Sequence, residues 1–126
     1  MIDKQNKIAE DEIAVLVSVL QPDQTEQVVN EYLDELAFLA ETAGAKTIKR
    51  FIQRLANPDS RTFVGKGKLE EIRQYIARHQ VDLLIFDDEL TGSQIKNIQE
   101  VVKIKTIERS DLILDIFAGR ARTAQA

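Results

Sequence analysis

Arg61, Lys66 and Lys68 flank two glycines in the stretch Arg61-Thr62-Phe63-Val64-Gly65-Lys66-Gly67-Lys68-Leu69-Glu70-Glu71-Ile72. The pattern changes there from a short β-like run to a helical period, so the glycines and lysines fall on a helix N-terminus. Such an end presents free N–H groups and partial positive charge, which suits phosphate. Glycine lets a backbone approach a ligand closely, and lysine adds full charge. The chemistry on offer is contact with an anion; the plain alternative is a tight turn with solvated lysines.

Two phosphate-binding loops are excluded by spacing. A Walker A loop needs G-x-x-x-x-G-K-[ST], whereas Gly65 and Gly67 stand two apart and Leu69 follows Lys68. A dinucleotide loop needs a third glycine where Glu70 stands. Asp87-Asp88-Glu89 follows an apolar run, at the strand end where open α/β sheets place ligands. Those carboxylates could hold magnesium, or simply favour the next helix N-terminus. With only 38 residues after Asp88, the VDLLIFDDE run cannot open a response-regulator receiver, which needs four more βα units. His79 has no second base or nucleophile placed to pair with it, and with no cysteine there is no disulfide, thiolate metal site or Cys/His pair.

Charge is polarised along the chain. The net charge over 126 residues is −4, which argues mildly against nucleic acid. Residues 1–45 carry two basic and ten acidic side chains, whereas residues 46–80 carry nine basic and three acidic, a local net of +6. Local patches rather than totals govern contact with polyanions, and the glycine–lysine joint lies in the basic part. No apolar run approaches the ~20 residues of a membrane-spanning helix, the N-terminus lacks signal-peptide order, and the absence of cysteine suits a cytoplasmic address.

The elements that position these groups alternate. Residues 12–20 (EIAVLVSVL) are apolar on both faces, as in a buried parallel strand. Residues 24–43 carry a helical apolar period that Gly44 can terminate. Residues 46–55 (KTIKRFIQRL) fit either period; the alternating order favours a strand. Residues 56–61 form a loop, 68–79 a helix and 81–86 a second buried strand. Thr91 and Gln94 have capping-box spacing before a helix ending at Val102, residues 104–107 form a short strand, and Ser110 or Asp111 can cap a last helix. The expectation is a single open, mainly parallel sheet of about four strands with helices on both faces.

Four blocks in order then carry a family likeness: EYLDELAFLAETAGA, TFVGKGKLEEI, DLLIFDDELTGSQIKNI and ERSDLILDIFAGRART. Together they resemble the N-terminal domain of HflX-type GTPases, over roughly residues 12–123. The resemblance implies a parallel α/β unit, with residues 46–55 as a strand, in a factor that binds the large ribosomal subunit and acts in ribosome splitting or rescue with GTP hydrolysis. It implies a helical linker and a GTPase domain as partners within the same protein. GTP and magnesium belong to that GTPase domain, since no P-loop, switch or base-recognition motif is present here; no cofactor, metal or hydrolysis is expected of these residues.

On this basis residues 1–11 are expected to be a flexible start, 12–119 the domain, and 120–126 the opening of a helical linker that looks cut rather than concluded. Arg61, Lys66 and Lys68 are expected to meet rRNA phosphates, with Arg120 and Arg122 beginning the basic linker. A monomer is expected. Two alternatives remain: a nucleotide-binding unit using the Gly65–Lys68 loop with magnesium at Asp87-Asp88, and a structural domain that restrains the GTPase domain through an apolar surface.

Overall fold

The computed structural model describes residues 11–125, with side chains described through 118. The expected flexible start at 1–11 lies, but for Asp11, outside the described residues. Among the described residues four strands alternate with four helices: β1 (Ile13–Leu20), α1 (Glu26–Thr42), β2 (Lys46–Arg54), α2 (Lys66–His79), β3 (Leu83–Phe86), α3 (Gly92–Val102), β4 (Lys105–Glu108) and α4 (Arg109–Gln125). All strands pair in parallel, in the order β2-β1-β3-β4. The chain therefore winds outward from β1 to β2, crosses back over β1 to β3, and continues to β4. This is a doubly wound sheet, with its switch point between β1 and β3.

Each central strand is buried on both faces. Ala14, Leu16 and Leu20 of β1 pack with Leu83 and Ile85 of β3 under Val29, Leu33, Leu36 and Ala40 of α1 and Leu112 of α4. The alternate residues Val15, Val17, Val19, Leu84 and Phe86 pack under Leu69, Ile72 and Ile76 of α2 and Ile98 and Val102 of α3. The two-residue strand period thus supplies both cores from the same strands. α1 and α4 cover one face, α2 and α3 the other.

Residues 46–54 are a strand, as the alternating order implies. The strand lies at the sheet edge, and its pairing register with β1 shifts between Ala14 and Val15, leaving Ile48 as the extra residue of a bulge. The helix starts are set by local bonds. Thr25 Oγ1 accepts from the Val28 N–H at 3.2 Å. Thr91 and Gln94 form the anticipated capping box, at 3.1 and 2.9 Å. α4 begins at Arg109, where the Asp111 carboxylate accepts from the Glu108 N–H at 3.1 Å, the reach-back half of a capping box.

The residues before α2 are not a strand. Phe63 makes only an isolated antiparallel bridge with Asp59, so residues 56–65 form a closed loop.

Candidate functional site: a basic loop and a switch-point cleft

All four βα junctions lie at the carboxyl edge of the sheet, and both groups singled out in the sequence are there. The glycine–lysine joint follows β2. Asp59 builds the loop that leads to it, its Oδ1 accepting from the N–H groups of Arg61 at 2.7 Å and Thr62 at 3.0 Å. Those N–H groups hold the Asp59 carboxyl below its usual range. Phe63 adopts a positive φ of 66° and buries its ring edge-on against Phe86, with centroids 6.0 Å apart. From α3, Gln94 Nε2 donates to the Asp59 carbonyl at 2.9 Å and Asn97 Nδ2 to the Arg61 carbonyl at 3.0 Å. The loop is clamped at both of those carbonyls, and Arg61 stands exposed on a fixed backbone.

Gly65 is the N-cap of α2, with no side-chain cap; its own N–H donates to Gln53 Oε1 at 2.8 Å. Lys66 and Gly67 are exposed in the first turn. Lys68 behaves differently. Its Nζ lies 3.1 Å from Glu71, its side chain is 23% exposed, and it sits 6.0 Å from the Phe51 ring centroid. Of the expected phosphate contacts, Arg61 and Lys66 are exposed and Lys68 is already engaged. Arg120 and Arg122 fall in the last turns of α4, and their side chains lie outside the described residues.

The second group opens at the switch point. A cavity of about 350 Å³ lies between the carboxyl ends of β1 and β3 and the start of α1, lined by Ser18, Gln24, Tyr32, Asp87, Asp88 and Arg109 among others. Asp87 is committed there. Arg109 donates to its Oδ1 from Nε at 3.0 Å and from a terminal nitrogen at 2.5 Å. The same guanidinium reaches Glu35 at 2.9 Å and the Tyr32 carbonyl at 2.9 Å. Asp88 has no such partner: its Oδ2 is buried without a hydrogen bond. Burial first, then the neighbouring Asp87 carboxylate, push the Asp88 carboxyl up to about 6, against the Val19 N–H and Arg109, which favour its charged form.

Asp87 and Asp88 are the pair that could hold magnesium. One carboxylate is taken by a guanidinium, and among the described residues no group of three or more His, Cys, Asp or Glu is placed to hold a metal. His79 stacks on Tyr75 with centroids 3.9 Å apart, its Nδ1 3.1 Å from the Tyr75 carbonyl; it is a helix-end residue without a base partner. Sequence reasoning missed Arg109 and Ser18. Arg109 acts across 22 residues on Asp87, a separation that leaves no periodic signal. Ser18 had one: it is the only hydroxyl in an otherwise aliphatic buried strand.

With the sheet order and site in place, the comparisons are specific. The family model described as GTP-binding GTPase N-terminal matches residues 30–118, which span α1 through α4. The chain belongs to this family. A GTPase HflX of Flavobacterium psychrophilum is 46% identical over 115 residues, covering 91% of this chain and 28% of that relative. A GTPase HflX of Escherichia coli is 34% identical over 93 residues, covering 74% of this chain and 22% of the relative. The chain thus spans about a quarter of the length of the curated relatives it matches, as an HflX-type N-terminal domain. A solved GTP-binding protein from Sulfolobus solfataricus in complex with GDP shares the fold, with a TM-score of 0.60 at 23% identity over 85% of this chain and 30% of its own. No described helix is long and apolar enough to cross a membrane.

Proposed function

We propose that this HflX-type N-terminal domain docks a GTP-hydrolysing ribosome-splitting or rescue factor onto the large ribosomal subunit, in the cytoplasm, through contacts to rRNA phosphates. The supporting observation is the distribution of cations over the fold. Lys46, Lys49, Lys66 and Arg78 on β2 and α2 are exposed and make no ion pair among the described residues, and Arg61 projects from the clamped loop beside them in sequence. α1, on the other face, carries five acidic residues and no basic one. A phosphate surface would therefore orient the domain with β2 and α2 toward it and α1 away. Contacts of this kind position a protein without reading sequence, which suits a large folded RNA. Hydrolysis is left to a GTPase domain, because positioning phosphates, magnesium and water needs parts that this fold does not bring together.

Co-sedimentation with large ribosomal subunits over a salt series tests this reading. Arg61→Ala with Lys66→Ala should weaken binding, and each lost phosphate contact should flatten the log affinity–log salt slope by about 0.7 to 1. Lys68→Ala should do less, since Glu71 already holds that ammonium. Lys4→Ala with Lys7→Ala, in the acidic first third, is the control. Equal weakening by the control would defeat the proposal. A second reading, in which the domain restrains the GTPase domain through apolar surface, draws on Phe38, Leu114 and Phe117, which are 68%, 65% and 70% exposed. It predicts contacts insensitive to salt.

A further inference from the structure

The switch-point cleft is not used by the phosphate-contact reading, and its chemistry is opposite in sign. Ser18 and Asp88 both line it. Ser18 is 2% exposed and lines the cavity, and its hydroxyl has no hydrogen-bond partner among the described residues. Asp88 lines the cavity from the end of β3, with its Oδ2 buried and unpartnered. Burying an unpaired acceptor is costly unless something supplies a donor. The terminal torsion of an Asp side chain is soft, so the carboxylate can turn toward an incoming donor.

The charges around the cavity select the kind of donor. Glu35, Asp87 and Asp88 contribute three carboxylates, and Arg109 is the one guanidinium lining it. That guanidinium is spent on Asp87, Glu35 and the Tyr32 carbonyl. A neutral donor would satisfy the hydrogen bonds but not the charge, and an anion would be repelled. Val29 forms an apolar floor and Tyr32 an aromatic wall, a lining that accepts methylene groups and the face of a cation.

We propose that the switch-point cleft binds a primary ammonium group on a slender aliphatic stem, held by Ser18, Asp88 and the Tyr32 ring. The group can belong to a free diamine or polyamine, or to a lysine side chain of another protein. The three N–H donors of an ammonium match the Ser18 hydroxyl and an Asp88 carboxylate turned toward the cavity, and leave one for water or Gln24. Binding draws Asp88 fully into its charged form, so at pH near 6 it releases a proton. Below that pH the affinity falls, by at most tenfold per unit for one linked proton. Asp87, Glu35 and Arg109 are the other charged groups facing Asp88, and they stay paired with one another throughout.

Calorimetric titration of the folded domain with cadaverine, and separately with Nα-acetyl-lysine methylamide, tests the proposal. The expected result is saturable one-to-one binding of at least one probe. Ser18→Ala and Asp88→Asn should each weaken it several-fold, and Glu31→Gln on exposed α1 should leave it unchanged. Tighter binding of cadaverine assigns the site to free amines; tighter binding of the lysine derivative assigns it to a protein partner. Proton release at pH 6, read from the dependence of the heat on buffer, should vanish in Asp88→Asn. If neither probe saturates, or if Glu31→Gln weakens binding as much as Ser18→Ala, the attraction is diffuse and the proposal fails. Were Asp88→Asn to disturb the fold, Ser18→Ala and the proton release of the unaltered chain would still decide the matter.

Discussion

Replacing Arg109 by leucine removes the guanidinium that ties the carboxyl end of β3 to the middle of α1 and the start of α4. Asp87 is the group most affected, because its side chain is only 9% exposed whereas that of Arg109 is 24% exposed. Stripping one partner from a fully buried pair costs about 3–5 kcal/mol. Partial exposure of the arginine brings the expectation to about 3 kcal/mol. A few tenths are returned because a cation at the first position of a helix opposes the helix dipole. With an unfolding entropy of about 2.1 cal/mol/K per residue over 126 residues, a loss of about 3 kcal/mol lowers the melting temperature by about 11 °C. The companion variant is Asp87→Asn with Arg109→Leu, which removes both charges and leaves none stranded. It should recover about 2 kcal/mol, a coupling that a double-mutant cycle reads directly. Thermal and urea melts of the four proteins supply the cycle. A fall of less than about 1 kcal/mol in Arg109→Leu, or strict additivity in the double variant, would refute the inference that this pair is a buried clamp rather than a surface ion pair.

Asp88→Asn should raise the melting temperature above pH 6 and make no difference below pH 4. The folded carboxyl is raised to about 6 from an ordinary 3.8, so the unaltered domain loses stability as pH climbs through that window and the amide does not; melts at pH 4 and pH 8 check the sign. Asp59→Ala should loosen the loop without unfolding the domain, seen as faster amide exchange at Arg61 and Thr62. Asp59 has a depressed pKa, so its contribution is complete above the unfolded value near 3.8 and disappears as pH falls through the lower folded one; exchange at low pH should converge with that of the variant. Gly67→Ala should stabilise by about 0.5–1 kcal/mol, because the position is helical and an added Cβ meets nothing within 4 Å. If that methyl group also weakens subunit binding, close backbone approach at Gly67 is part of the contact.

Much of the architecture was legible because its strands are unusually uniform. Residues 14–20 and 83–86 are buried on both faces, and continuous apolar runs of that kind have few other uses in a chain with helical periods between them. The β2 segment was ambiguous for a physical reason. It is an edge strand, so Lys46, Ile48 and Lys49 face solvent, and the bulge at Ile48 shifts the two-residue alternation by one place. The patterns before and after the bulge therefore disagree, and their sum imitates a helix. The loop before α2 read as β-like because Thr62, Phe63 and Val64 favour strands; tertiary bonds from Gln94 and Asn97 outweigh that preference. The lysines of the joint were visible as a motif, but only the fold separates them. Phe51 and Glu71 draw Lys68 inward while Lys66 stays in water.

The edges of the sheet carry a consequence for behaviour in a crowded solution. An open sheet offers rows of unpaired backbone groups to any passing strand, and a nine-residue edge such as β2 is a long template. Here that template holds Lys46, Lys49, Arg50 and Arg54 and is broken by the bulge at Ile48, while the opposite edge, β4, has only four residues. A second chain docking on β2 would have to dehydrate several cations and match a kinked register. Lys46 and Lys49, which belong to the proposed phosphate surface, thus also act with Arg50 and Arg54 as gatekeepers against edge-to-edge aggregation. Neutralising them to test the proposed RNA contact would expose that template, so charge-reversed rather than apolar replacements are the safer probes of this strand.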